Sequence, residues 1–194
     1  MGHREDLLEG AKRCLLAKGF ARTTARDIVK ESGTNLASIG YHYGSKDVLL
    51  GEAYVELVSE ASVGWEAEFS SPPGSIERFE ELWTSVVATV GKPDSMWRLS
   101  IEIIAMGDQL PAVRDYLAQQ QSEGGRGFIA MLMGVEEPTV PDEQVATLGK
   151  FLTTLMTGLI AQYSFAPDTA PSGKELTEGL RHLIKAAGYE APAG

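Results

Sequence analysis

The sequence of 194 residues has one cysteine, Cys14, and three histidines, at positions 3, 42 and 182. A lone thiol closes no internal disulfide, and so few soft or imidazole ligands form no zinc-type cluster. No apolar run approaches the 18 residues of a membrane-spanning helix. The N-terminal Met-Gly-His-Arg-Glu-Asp is charged where a signal peptide would be apolar. These absences imply a cytoplasmic protein. No strand-like alternation, internal repeat or low-complexity tract is found either. The run Gly124-Gly125-Arg126-Gly127 lacks the strand–loop–helix frame of a phosphate cradle. No Gly-x-Ser-x-Gly elbow occurs. The acid pairs Glu80-Glu81 and Glu136-Glu137 are adjacent and cannot share a helix face. The expectation is a chain that is not an enzyme and has no metal and no cofactor.

Basic charge is also scarce: 17 Lys and Arg stand against 27 Asp and Glu, a formal net charge of −10. That balance argues against nucleic acid until its distribution is considered. Residues 1–50 hold eight basic and six acidic residues, net +2, and residues 51–194 hold nine and 21, net −12. An acidic body with a mildly basic head is repelled from DNA everywhere except through the head. Weak non-specific binding and marked salt sensitivity follow.

What the head does contain is the segment TTARDIVKESGTNLASIGYHYGSKDVLL, residues 23–50. Thr24 caps a short helix and Asp27, three residues on, completes a capping box. Ala25, Ile28 and Val29 form its buried stripe; Arg26, Lys30 and Glu31 face out. Gly33 allows the left-handed conformation of a tight reversal. Asn35 caps a second helix anchored by Ile39, and Ser45 caps a third with Asp47 in its first turn. Tyr43 is expected in the core and Tyr41 at the surface. This is the spacing of a helix-turn-helix, which lays its second helix in the DNA major groove. Two short packed helices also occur as ordinary core structure.

The same residues resemble the N-terminal domain of TetR-family transcriptional regulators. The resemblance runs from Leu7 to Leu50 through Lys18-Gly19-Phe20, Thr23-Thr24, Ser32-Gly33, Tyr41-His42-Tyr43 and Ser45-Lys46-Asp47. It implies that Thr24, Tyr41, His42 and Lys46 hold phosphates and that Arg26 reaches a base edge. It implies further that Thr34, Asn35, Leu36, Ala37 and Ser38 belong to the DNA-facing surface. Gly40 and Thr34 depart from the family pattern, where a large residue and a buried Val are usual. Gly40 also weakens its helix by about 1 kcal/mol relative to Ala. Leu36 and Ala37 can touch thymine methyls, and Arg26 can pair bidentately with guanine.

The remaining periodicity predicts an all-α chain, which the resemblance divides into a three-helix DNA-binding domain over residues 1–47 and a larger helical ligand-binding and dimerisation domain over 48–194. Helices are expected over 3–18, 46–69, 76–90, 95–107 and 111–133, the last with a kink or fray at Gly124 and Gly125. From Asp142 a narrow seam of Leu148, Leu152, Leu155 and Leu159 recurs at spacings of three and four. After Ser172 and Glu175 a final helix carries Leu176, Leu180 and Leu183. These two helices can close one chain's core. The family resemblance implies instead that they pair with their copies in a homodimer, which suits a palindromic double-stranded DNA operator.

The resemblance also implies a small-molecule effector pocket, for which the large side chains at Trp65, Trp83, Trp97, Ile101, Phe128, Met131, Met156 and Tyr163 are candidates, although Met and aromatics at helical spacing are ordinarily core. Arg98, Glu102 and Gln162 are polar positions beside these stripes and read as surface. The resemblance thus implies a ligand-responsive repressor, and no membrane association is expected. A helical protein-interaction module that binds no DNA is the alternative.

Overall fold

The computed structural model describes residues 3–63, 65, 69–92 and 96–188. Among these, all regular structure is helical: α1 (His3–Lys18), α2 (Ala25–Ser32), α3 (Leu36–Tyr43), α4 (Lys46–Ser62), α5 (Ile76–Val90), α6 (Arg98–Ala105), α7 (Pro111–Met133), α8 (Asp142–Gln144), α9 (Lys150–Phe165) and α10 (Gly173–Ala186), with short 3₁₀ turns between some of them. The chain forms two compact units, one of residues 1–62 and 94–123 and one of 63–93 and 124–194. By compactness the first unit therefore takes in residues beyond the DNA-binding segment, because α6 and the start of α7 pack with the head.

In the first unit, α1 lies against both α2 and α4. Leu7, Leu15, Phe20, Ile28, Leu49 and Leu50 are fully buried there, and Leu99, Leu110 and Val113 join the same core. Each such side chain contributes about 1.5–3 kcal/mol by leaving water. Lys12 is buried on α1, with its ammonium bonded to Glu9 and Glu60 and 3.9 Å from Glu56. Burial opposes its charge, but these carboxylates overcome that penalty and hold its pKa above the ordinary lysine value.

In the second unit, α5 packs against α10 and α9. Phe79, Leu82, Trp83, Val86, Phe128, Ile129, Leu152 and Leu159 are buried. Trp65, Phe128 and Trp83 stack in sequence, with ring centroids 5.8 and 5.7 Å apart. Arg78 ties the segment before α5 to the end of α7: its Nε donates to the Met131 carbonyl at 2.7 Å, and its guanidinium lies 4.4 Å from the Phe69 ring centre.

Four expectations are corrected. The helix beginning at Lys46 ends at Ser62, short of residue 69, and α6 is shorter than the 95–107 expected. The helix through Gly124 and Gly125 is unbroken. A Cβ at Gly125 would lie 3.1 Å from the Gly149 backbone, so this glycine serves a close helix crossing. The stretch after Asp142 is not uniformly α-helical, since Val145–Gly149 makes a π-helical turn at that same crossing.

The contact between α10 and α5 makes a direct test of packing. A Cβ at Gly173 would lie 2.5 Å from the Thr84 backbone nitrogen, whereas Gly179, exposed on the same helix, has open space around it. Gly173→Ala is expected to cost about 1–3 kcal/mol by overpacking. Gly179→Ala is expected to gain about 0.5–1 kcal/mol from helix propensity. Urea midpoints moving the same way in both variants would contradict the close approach.

Candidate nucleic-acid interface

The reading head is built from cap chemistry. The Thr24 side chain accepts the Asp27 N–H at 3.2 Å, and the Asp27 carboxylate accepts the Thr24 N–H at 3.0 Å and hydroxyl at 2.7 Å. Gly33 ends α2 at φ 69°, and its N–H donates to the Val29 carbonyl. Asn35 Oδ1 accepts the Ser38 N–H at 3.1 Å and starts α3. Ser45 Oγ accepts the Val48 N–H at 3.1 Å and starts α4. These bonds satisfy helix-end amides that would otherwise be orphaned. Thus α2, α3 and α4 begin where the sequence predicts.

Packing then selects the outward face. Ile39 and Tyr43 are buried, and the Tyr43 hydroxyl donates to the Arg4 carbonyl at 2.6 Å. The Arg4 guanidinium lies 5.0 Å from the Tyr43 ring centre and its NH2 2.8 Å from the Glu52 carboxylate. With that side of α3 held inward, Asn35, Leu36, Ala37 and Tyr41 are exposed, Tyr41 at 85%. Ser38 and His42 are half-buried, and the His42 ring meets Tyr41 edge-on at 4.9 Å. A face of this composition offers apolar contact and a few side-chain donors to a groove.

Some predicted phosphate contacts have internal partners. The Thr24 hydroxyl proton is engaged by Asp27. Thr34 is half-buried, with its hydroxyl 2.7 Å from that of Ser32. The Lys46 ammonium lies 3.0 Å from Asp47 and donates to the Thr23 carbonyl at 3.4 Å. Arg13 pairs with Glu31 at 2.7 Å, and Lys18 pairs with Asp27. Among the described residues, Arg26 and Lys30 make no ion pair, and both are exposed on α2 one helical turn apart. The sequence puts Lys30 on the outward side of α2, and its i,i+4 spacing from Arg26 is the signal that places the two cations together.

The remaining predicted residues fall in separate places. Trp97 and Ile101 lie in the first unit; Trp65, Trp83, Phe128, Met131, Met156 and Tyr163 lie in the second. The Tyr163 hydroxyl donates to the Pro171 carbonyl at 3.2 Å. Trp83 is fully buried, and its indole N–H has no hydrogen-bond partner among the described residues. Leu152 and Leu159 are 0% and 2% exposed, so these two members of the leucine seam are core of a single chain and correct the reading of them as interface. They alternate with Leu148 and Leu155, which are half-buried, as are Leu176 and Leu180, while Phe151, Leu183 and Ile184 are exposed. No helix among the described residues is long and apolar enough to cross a membrane.

Residues 7–53 match the family described as bacterial regulatory proteins, tetR family. The chain is 22% identical over 184 residues to the uncharacterized HTH-type transcriptional regulator YfiR of Bacillus subtilis (strain 168), covering 93% of this chain and 89% of YfiR. Among solved structures it resembles the multidrug binding protein EbrR complexed with imidazole, at TM-score 0.69 and 23% identity, covering 98% of this chain and 92% of that one. A second EbrR structure, complexed with proflavin, matches at TM-score 0.59 and 22% identity over 94% of this chain and 100% of the other. GusR of Salmonella enterica matches at TM-score 0.59 and 22% identity over 94% and 95%.

The cap at Thr24 is pH-sensitive. The Lys18 ammonium, then the Thr24 hydroxyl and amide, hold the Asp27 carboxyl well below the usual carboxylate range. A carboxyl depressed in the folded state stabilises above its unfolded value, about 3.9, and that contribution is lost as pH falls further. The urea midpoint is therefore expected to fall progressively as pH drops below about 4, and Asp27→Asn to flatten part of that fall. Parallel acid limbs in the two proteins would remove Asp27 from the account.

Proposed function

We propose that this chain, a transcriptional regulator of the TetR family, is a repressor that binds a palindromic double-stranded DNA operator as a homodimer and is released by a small, largely apolar effector. The observation that carries the reading is the head itself. Buried Ile39 and Tyr43 turn the Leu36–Tyr41 surface of α3 outward, and on α2 Arg26 and Lys30 make no ion pair among the described residues. Inward anchors and an outward polar-apolar face are what a groove-reading helix needs.

Lys46 exchanges its Asp47 contact for a phosphate on binding, so its role is electrostatic and independent of sequence. Arg26 keeps its guanidinium for a base edge. Tyr41 and His42 add phosphate contacts at the end of α3. Asn35, although its Oδ1 caps the helix, retains its side-chain amide donors. The acidic body keeps DNA on the head, and the chain works in the cytoplasm, where its target lies.

Effector binding is assigned to the aromatic side chains of the second unit. The Trp65–Phe128–Trp83 stack offers flat apolar faces, and the unpartnered Trp83 N–H offers one donor. EbrR, complexed with proflavin and with imidazole, supports a reading in which flat aromatic molecules are suitable effectors. Dimerisation is assigned to the exposed Phe151, Leu183 and Ile184, together with half-buried Leu148, Leu155, Leu176 and Leu180. Apolar side chains of this size left exposed on α9 and α10 call for cover.

Selection of duplexes from a random-sequence pool, followed by gel shift, tests the DNA reading. Enrichment of an inverted repeat is expected. Lys46→Ala should weaken selected and random DNA alike and reduce the salt slope by roughly one. Arg26→Ala should cost about 1–3 kcal/mol on the selected duplex and relax one base position. A pool that remains unenriched, together with no duplex binding, would favour the protein-interaction module.

Assembly has its own test. Leu183→Glu combined with Phe151→Glu should move the sedimentation coefficient to that of a monomer at micromolar concentration, with helical content retained. An unchanged dimer would place the interface on other residues.

A further inference from the structure

We propose that Glu102 is a positioning residue for DNA binding: from α6 its carboxylate holds the α1–α2 turn and so sets where α2 presents Arg26 and Lys30. The proposal rests on the DNA reading above. Glu102 Oε2 accepts the Phe20 N–H at 2.8 Å and the Ala21 N–H at 3.3 Å, across 82 and 81 residues of sequence. All of these groups belong to the first compact unit.

The turn needs such a partner. Helix α1 ends at Lys18, and Gly19, at φ 81°, donates its N–H to the Leu15 carbonyl at 2.8 Å. The chain then reverses, so the next two amides have left the helix and its acceptors. The carbonyl side of the turn is closed locally, since the buried Thr23 hydroxyl donates to the Gly19 carbonyl at 2.7 Å. Only the donor side is met from a distant element. Phe20 is fully buried, so an unmet amide there carries a full desolvation cost.

A second observation is independent of those bonds. A Cβ at Gly19 would fall on the Glu102 carboxylate. The turn therefore has glycine both for its left-handed backbone and for room to seat an anion against consecutive amides. Among the described residues Glu102 makes no ion pair, so these amides are what localise its charge.

The helix that carries Glu102 is itself fixed to α4. The Ser100 hydroxyl lies 2.8 Å from that of Tyr54, and Leu99 is part of the shared core. In this way α6 holds the head at two places: at α4, which follows the recognition helix, and at the turn that precedes α2. A displacement of α6 of little more than an ångström carries Oε2 beyond hydrogen-bond distance of both amides. The turn is then released while the hydrophobic core beneath it stays intact.

The test combines amide hydrogen exchange with duplex affinity, using the full chain and the duplex that the wild-type protein selects from a random pool. In Glu102→Ala the Phe20 and Ala21 amides should exchange much faster than in wild type, with the urea midpoint recording global stability separately. Affinity for the selected duplex should fall roughly 5- to 150-fold, the range of a modest coupling. Glu102→Gln, which retains one uncharged acceptor, should fall between. The loss should shrink in an Arg26→Ala background, because the positioned cation is already gone. Gly19→Ala, which evicts the carboxylate while leaving Glu102 in place, should reproduce the affinity loss. Unchanged exchange in Glu102→Ala, or fast exchange with undiminished affinity, overturns the proposal. Wild-type protein that selects no duplex overturns the DNA reading and this proposal together.

Discussion

Two helices of eight residues do not stand alone in water, because nucleation costs more than so few hydrogen bonds return. Here α2 and α3 keep their shape because α1 and α4 bury their inner sides. The side chains that hold the head together therefore lie mostly outside the helix-turn-helix: Leu7 and Leu15 on α1, Phe20 in the turn, and Leu49 and Leu50 on α4. The exposed chemistry of α3 depends on them. If Ile39 and Tyr43 lost their seats, Leu36 and Tyr41 would no longer share an outward face.

Charge in the head is arranged by the same logic. Lys12 is enclosed by Glu9, Glu56 and Glu60, Arg13 meets Glu31, and Lys18 meets Asp27. Several of the basic residues that give the first fifty positions their positive balance are thereby spent on internal contacts. The exposed pairs among these, Arg13 with Glu31 and Lys18 with Asp27, contribute little to stability, about 0–1 kcal/mol. Their larger effect is to leave Arg22, Arg26 and Lys30 as the head cations that make no ion pair among the described residues. A net charge of +2 says how much positive charge the head carries; the pairing says where it is available.

The head was largely legible in the sequence, because its signals are local. Thr24 with Asp27, Gly33, Asn35 and Ser45 each act over three or four residues, and each does so in the structure. The second unit was less legible. A leucine every three or four residues states that one side of a helix is covered, but not by what. Leu152 and Leu159 turn into the core of their own chain, whereas Leu183, with the same spacing signal, stays exposed. Gly125 likewise looked like a weak point in a helix, and its meaning came only from Gly149, which no local pattern connects to it. Periodicity identifies a buried side, and tertiary packing decides its partner.

Glu102 shows the same limit for polar residues. From sequence it was one acid among 27, beside an apolar stripe and indistinguishable from a solvated side chain. Its signal lay 83 residues away, in a glycine that already had a sufficient local reason to be glycine. Gly19 ends α1 in the left-handed region, and that accounts for the residue without any partner. Only the fold reveals that the same missing Cβ also seats a carboxylate. One glycine thus serves two constraints, one on its own helix and one on α6. The second joins the reading head to a part of the chain that the helix-turn-helix pattern does not include.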